Sequence, residues 1–312
     1  MDLVPIRPVT QLVSTFQRCL PPVLYELLRA ASRVANGHGI DLYLVGGTVR
    51  DLLSGRNIRD LDFSAVGLTE TLVHSMARDL GGHVSAWSQF GTAKLYVGGS
   101  MVDVAMSRRE LYSAPGALPD VSPGSIDDDL ARRDFTINAM AVSLLPDSWG
   151  VLLDPHKGRH DLEKRLLRTL HARSFIDDAT RIMRAVRYSS RLDFRIESVT
   201  LAALRRDLGN MAAIKGDRIR HELDRIFDEE RAAEALEMAR DFGTLQVIDP
   251  ALVVDDALLA TLSALSGAET PDMMLLFLST LSYGLLRGDA SRLTARLNLD
   301  SRGTRIVADS MF

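Results

Sequence analysis

The 312-residue chain has a single cysteine, Cys19. One thiol excludes an intrachain disulfide framework and agrees with a reducing, cytoplasmic setting. No Cys/His cluster has the spacing of a zinc site. An excess of one charge is lacking too: 37 Lys/Arg stand against 41 Asp/Glu, for a net charge of −4. Any surface for nucleic acid must therefore be local. The most apolar segment, Met273 to Leu286, is too short to span a bilayer and reads as a core helix. The first residues carry Arg7 and Arg18 but no compact apolar stretch with a small-residue cleavage site, which predicts neither a signal peptide nor a membrane partner. Internal repeats, a Walker A loop and a dinucleotide fingerprint are all missing.

What is present is an ordinary globular composition, 46% hydrophobic, ample for a core. Residues 1–20 read as an irregular arm. Pro21 and Pro22 suit the start of a helix, Leu24, Leu27, Leu28, Ala31 and Val34 recur at helical spacing, and Gly37 stops it. Ile40–Val45 is a strand bounded by glycine, and Leu61–Phe63 belongs to a second. Thr69–Leu80 reads as a helix. "TAKLYVG" and "MVDVAM" form a hairpin turned at Gly98–Ser100. Pro115–Gly124 is a long turn-rich loop. From about Leu162 the pattern is almost wholly helical. An α+β front followed by a helical back predicts a boundary near Trp149–Lys157.

The chemistry concentrates in "LVGGTVRDLLSGRNIRDLDF", Leu44–Phe63. Gly46 and Gly47 lie between a strand and a helix, where the backbone can approach a ligand and unpaired N–H groups face an anion; the other reading is a plain tight turn. Arg50 can add a charge-assisted contact to phosphate. Asp60 and Asp62, two apart, share one face of a strand, and two ionised carboxylates that close are costly unless a cation or a proton joins them. Such hard oxygens suit Mg²⁺; the alternative is a solvated Asp-x-Asp at a strand end. Together the parts outline a nucleoside triphosphate site.

These residues resemble the signature of class II tRNA nucleotidyltransferases (CCA-adding enzymes) and bacterial poly(A) polymerases, in the polymerase-β-type superfamily. "DLARRDFTINAMA" (Asp129–Ala141) is similar to the family's ribose-recognising motif and Leu152–Leu170 to its head-to-neck connector. Phe175–Phe194 resembles its base-selecting helix and, more loosely, Gly216–Phe227 its last neck motif. The resemblance covers roughly residues 40 to 230. It implies a nucleotidyltransferase head with a mixed β-sheet flanked by helices (21–155), an all-helical neck (156–230) and a helical body (231–312) that is incomplete or minimal. It implies Mg²⁺ on Asp60 and Asp62, with Asp103 in the place of a third strand carboxylate or simply at the surface. It assigns Asp134 and a neighbouring arginine, Arg132 or Arg133, to ribose and phosphates, where a solvated charge run is the other reading. Its substrates would be CTP and ATP, its partner the tRNA 3′ end; no protein partner is inferred.

In "DDATR", Asp178 and Arg181 sit three apart, on one face if the segment is helical. Asp accepts and Arg donates, so the pair matches the amino group and ring-nitrogen acceptor shared by cytosine and adenine, and mismatches uracil and guanine. A surface ion pair is the competing reading. Arg184, Arg187 and Arg191 continue the stripe, either bracing a pocket or facing RNA phosphate. The loop "RRELYSAPGALPDVSPGSIDDD" departs from the Arg-His-Pro element common in the family, in a region that helps switch from C to A addition. CC-only, A-only and poly(A) activities therefore stay open beside full CCA addition. A catalytically silent RNA-binding protein and a small-molecule nucleotidyltransferase are the readings from other classes.

Overall fold

The computed structural model describes residues 11–88, 91–265 and 272–310. Its chain divides into two units, residues 1–111 with 119–164, and residues 112–118 with 165–312.

In the first unit, helices α1 (Val13–Cys19) and α2 (Pro22–Gly37) precede strand β1 (Asp41–Val45), helix α3 (Gly46–Leu53), strand β2 (Leu61–Val66) and helix α4 (Glu70–Asp79). Strands β3 (His83–Ser88), β4 (Thr92–Val97) and β5 (Ser100–Met106) follow, then a ribbon of β6 (Arg108–Leu111) and β7 (Asp120–Pro123). Helix α5 (Ile126–Ala131), strands β8 (Ala141–Ser143) and β9 (Leu152–Leu153) and helix α6 (Gly158–Glu163) complete it. Seven strands form one mixed sheet in the order β3-β4-β5-β2-β1-β8-β9. Only β2 and β5 pair in parallel, and every other pairing in this sheet is antiparallel. Central strands β1 and β2 are mostly apolar and largely buried on both faces, Asp41 and Asp62 apart, whereas edge strand β3 is largely exposed. That is the hydrophobicity pattern of a helix-covered sheet centre.

Two expectations need correction. The segment before Pro21 is not irregular throughout: α1 docks because Phe16 is fully buried, edge-on to Trp149 at 6.0 Å, and Gln11 bridges Val151. Residues 1–10 of the expected arm lie outside the described residues. The turn-rich stretch Pro115–Gly124 is not all loop either, since Asp120–Pro123 pairs with Arg108–Leu111 and the Gly124 N–H donates to the Ser107 carbonyl at 2.9 Å.

The second unit holds β10 (Leu166–Leu167), α7 (Ser174–Asp177), α8 (Thr180–Leu192) and β11 (Arg195–Ile196), with β10 and β11 pairing in parallel. Helices α9 (Ser198–Asp207), α10 (Gly216–Phe227), α11 (Ala232–Phe242), α12 (Thr244–Ile248), α13 (Asp256–Leu265), α14 (Met273–Ser282), α15 (Arg287–Arg296) and α16 (Ser301–Asp309) follow. Phe227 stacks on Phe277 with ring centroids 4.9 Å apart, both fully buried, and ties α10 to α14. Met273–Ser282 is thus a core helix, and no helix among the described residues is long and apolar enough to cross a membrane.

Within the first unit, helix α6 packs through a close backbone contact. A Cβ on Gly158 would lie 2.1 Å from the Thr136 carbonyl oxygen, and Asp161 accepts the buried Thr136 hydroxyl at 2.7 Å. Thr136 opens the short turn Thr136–Asn138 that follows "RRDF". Gly158→Ala must push that turn away, and overpacking against backbone costs about 1–3 kcal/mol. Urea denaturation should show this loss, whereas an exposed control, Gly37→Ala, with nothing within 4 Å of its Cβ, should lose no comparable stability.

Candidate functional site

Parallel pairing of β2 with β5 sets Asp62 in register with Asp103, on strands about 4.8 Å apart. Asp60 sits in the bend before β2, not on the strand itself, and accepts the Met101 N–H at 3.3 Å. Three carboxylates thus gather at one end of the β2–β5 pair. Asp62 is the least solvated. Burial pushes its carboxyl up, and the charges of Asp103 and Asp60 add to that; the Thr48 hydroxyl and Arg133 work in the opposite direction without prevailing. Thr48 fixes its orientation, donating from Oγ1 to Asp62 Oδ2 at 3.1 Å and accepting the Asp62 N–H at 3.2 Å. Asp103 is partly answered by Lys94, its opposite number on β4, with Nζ 3.3 Å from Oδ1.

The donor set fits a hard divalent cation of the Mg²⁺ type. Among the described residues no group of three or more His, Cys, Asp or Glu closes around a metal position. Mg²⁺ needs no such cage, because it typically takes one or two carboxylates and fills its octahedron with water and phosphate oxygens. Mutual repulsion among the three Asp side chains, visible at Asp62, is the strain such a cation would relieve.

The glycine turn has two different glycines. Gly46 has φ +65°, and a Cβ there would fall 2.6 Å from Arg133 Nη1, so conformation and space both require glycine. A Cβ on Gly47 would meet only ordinary contact with Arg50. Arg50 itself departs from the expected phosphate contact. It is 3% exposed. Nε and Nη2 each donate to Asp51 at 2.9 Å, and Nη1 donates to Asn138 at 2.7 Å. Its guanidinium therefore braces α3 against the Thr136–Asn138 turn, because a buried charge must be paired where it lies.

The group that roofs Gly46 is Arg133, and it is held by a residue the motif reading left without a role. Asp129, fully buried, accepts Arg132 at 2.6 and 3.0 Å and Arg133 at 2.7 Å. Burial works to raise the Asp129 carboxyl, but the charges and hydrogen bonds of Arg133 and Arg132 outweigh it and leave it below the usual carboxylate range. The signal was in the spacing: Asp129 lies three and four residues before the arginines, the helical contact distance. Arg132 also reaches Glu110 of β6 at 3.2 Å. Asp134 is buried, accepting the Phe135 N–H at 2.8 Å and the Asn138 amide at 3.0 Å.

In the second unit the helical pairing of Asp178 and Arg181 does not form. Asp178 has an extended backbone (φ −141°, ψ 99°) and stands before α8, capping it: Oδ1 accepts the Thr180 N–H at 3.0 Å and its hydroxyl at 2.7 Å. Asp178 therefore precedes the helix and serves its N-terminus. Arg181 is 4% exposed and donates to Ser174 Oγ at 2.7 Å. The partner Asp178 does take is Arg218 of α10, at 2.8 Å, which no local spacing could have revealed. In the arginine stripe beyond it the burial is graded, with Arg187 buried, Arg184 half-buried and Arg191 exposed, and each is paired with a glutamate. Arg187 is buried within 3.2 Å of Glu229 and 3.8 Å of Glu222, Arg184 lies 3.5 Å from Glu222 and over the Tyr188 ring, and Arg191 lies 3.6 Å from Glu229. Of the two readings left open for the stripe, this geometry is bracing.

Comparison with known proteins follows the same lines. Residues 42–168 match the poly(A) polymerase head domain, and residues 193–255 match the probable RNA and SrmB-binding site of polymerase A. The A-adding tRNA nucleotidyltransferase of Halalkalibacterium halodurans is 41% identical over 72% of this chain and 53% of its own length. The CC-adding tRNA nucleotidyltransferase of Deinococcus radiodurans is 34% identical over 88% of this chain and 71% of its own. Of three similar A-adding relatives the chain spans 27%, 53% and 28% of the length. A solved CCA-adding enzyme without ligand superposes with a TM-score of 0.86 at 28% identity, covering 97% of this chain and 74% of that one.

The burial of Asp62 has a consequence for stability. Its folded carboxyl binds a proton more tightly than the unfolded chain's, whose ordinary value is 3.8. The stability this group contributes is complete below that value and is lost as pH rises through the raised folded value. Asp62→Asn removes the titration and leaves an amide oxygen for Thr48 to bond. In EDTA its melting temperature relative to wild type should therefore rise between pH 3 and pH 7, a trend that a pH-independent difference would contradict.

Proposed function

The chain belongs to the class II tRNA nucleotidyltransferase and poly(A) polymerase family, and on that premise we propose that it adds C and A, from CTP and ATP, to the 3′ end of tRNA without a nucleic-acid template. The observation that carries this reading is the gathering of Asp60, Asp62 and Asp103 in the same unit as a glycine turn roofed by Arg133. The RNA 3′-hydroxyl oxygen would bond to the α-phosphorus of the nucleotide while the bond to the β-phosphate oxygen breaks, releasing pyrophosphate.

Asp60 and Asp62, with Asp103, would hold Mg²⁺. Bound there, the ion would supply charge stabilisation on the triphosphate and a lowered pKa for the attacking hydroxyl. Arg133 would meet the growing negative charge on the phosphates, oriented beforehand by Asp129 and so needing no rearrangement at the moment of reaction. Gly46 admits that guanidinium, and its own N–H is committed to the Met140 carbonyl at 3.3 Å, so amide contacts from the turn fall to Gly47 and the residues after it. Arg50 and Arg132 position this set, and Asp134 keeps the ribose-reading part that the resemblance gives it. Base choice is assigned to Asp178 of the second unit, with Arg181 fixing the turn before α8, and Arg184 and Arg187 bracing the helix.

A narrower activity, addition of the terminal A alone, is the second reading. It is favoured by the A-adding relatives, 36–41% identical, against 33–34% for two CCA-adding enzymes. The solved relatives include CCA-adding enzymes complexed with tRNA, CTP and ATP, which supports the choice of substrates for either reading.

Transcripts of tRNA ending before CCA, after C and after CC, each incubated with single labelled nucleotides and Mg²⁺, separate these activities. Full addition predicts C on the first two and A on the third; A on the third alone supports the narrower reading, and incorporation on none sinks both. Asp60→Ala and Asp62→Ala should each lower the rate by about 10²–10³-fold or more, the scale of losing a main electrostatic group at a reacting centre.

A further inference from the structure

Asp178 uses its two carboxylate oxygens unequally. Oδ1 accepts three donors: the Thr180 N–H at 3.0 Å, the Thr180 hydroxyl at 2.7 Å and Arg218 Nη2 at 2.8 Å. Oδ2 has no hydrogen-bond partner among the described residues, and the side chain is 16% exposed, so this oxygen is the one left for a ligand. Arg218 is similarly divided. Nη2 is engaged, whereas Nη1 is buried without a hydrogen-bond partner among the described residues. A native structure rarely leaves a guanidinium nitrogen in that condition unless something else meets it.

The turn that presents Arg218 is built to stay put. Gly216, at the start of α10, packs so closely that a Cβ would lie 2.1 Å from the Arg296 carbonyl oxygen. Arg296 Nη1 donates to the Ile214 carbonyl at 2.8 Å, and the Asn298 amide donates to Asp217 at 2.9 Å. The end of α15 and the residues after it thus hold the first turn of α10, and Arg218 holds Asp178 across forty residues of sequence.

We propose that Arg218 is a specificity-positioning residue: by clamping Oδ1 of Asp178 it fixes the place of the acceptor Oδ2, which selects nucleobases carrying an amino group beside a ring-nitrogen acceptor. The inference rests on the base-reading part proposed for Asp178. An unclamped carboxylate could turn either oxygen, and the waters following it, toward the base, and would tolerate the carbonyls of uracil and guanine. A clamped one holds Oδ2 in one place, where it meets the amino hydrogens of cytosine or adenine and repels a carbonyl in their place.

The test is binding selectivity, read independently of turnover. Affinities of the whole chain for CTP, ATP, UTP and GTP with Mg²⁺ are measured by calorimetry for wild type, Arg218→Gln and Arg218→Lys, with far-ultraviolet circular dichroism to confirm the fold. The preference for CTP over UTP, and for ATP over GTP, should fall about tenfold or more in Arg218→Gln, the loss expected when one well-placed polar partner is disordered. Arg218→Lys should recover part of it, since one ammonium donor can still reach Oδ1. In the incorporation assay the loss should fall mainly on KM for CTP and ATP. If Arg218→Gln does not fold, Thr180→Val removes a second Oδ1 donor and should lower the same ratios. Folded variants that keep the wild-type ratios, or that weaken all four nucleotides equally, overturn the proposal. Wild type that binds CTP over UTP yet incorporates neither nucleotide overturns the nucleotidyl-transfer reading and leaves the role of Arg218 standing on the binding ratios.

Discussion

The first unit is organised around one buried charge. Asp129 has no access to water, and an isolated carboxylate there would cost several kcal/mol. It persists as an anion because two guanidiniums close on it from one helical turn away. That requirement fixes more than itself. Arg133, once held by Asp129, occupies the volume over Gly46, so the turn between β1 and α3 can only be glycine with φ positive. Arg132, held by the same carboxylate, is also held by Glu110, which Arg108 grips at 2.8 Å. The β6–β7 ribbon, the RRDF segment and the glycine turn are therefore consequences of a single electrostatic constraint, and none can shift without unpairing a buried charge.

Much of this site was legible wherever chemistry depends on local spacing. Asp60, Asp62 and the Gly46–Gly47 turn lie within one strand–helix–strand stretch, so the β1 and β2 patterns sufficed to bring them near one another. The in-register match of Asp62 with Asp103 was not legible. It comes from the one parallel pairing in the sheet, between strands separated by α4 and a hairpin, and sequence spacing carries no register across such a gap. Arg50 shows a different limit: its position in α3 was readable, but the direction of its side chain depended on Asn138, far along the chain.

The neck shows the same limit more sharply. Spacing of three suggested that Asp178 and Arg181 share a helix face, yet the helix begins only at Thr180. Aspartate competes with the backbone for nearby N–H groups, and at a helix start that competition is won by capping. Arg184, Arg187 and Arg191 were correctly seen as a stripe; what no single stretch could reveal was Glu222 within α10 and Glu229 beyond its end, which pair with all three.

A general distinction follows between polar groups that build the protein and those that await a ligand. Arg50 and Asp129 are each surrounded by partners matched to their charge, as low-dielectric surroundings demand. Asp62 is different: three like-charged carboxyls converge while Thr48 and Arg133 compensate incompletely. Asp178 and Arg218 differ in a second way, with one atom of each saturated and another left without a partner. Folding alone would favour replacing such arrangements with apolar or fully paired groups. Their retention at two separate places, one rich in carboxylate and one built from an acceptor beside a donor, is intelligible if each is completed from outside the chain. The first calls for a cation with phosphate, the second for a planar group bearing both a donor and an acceptor.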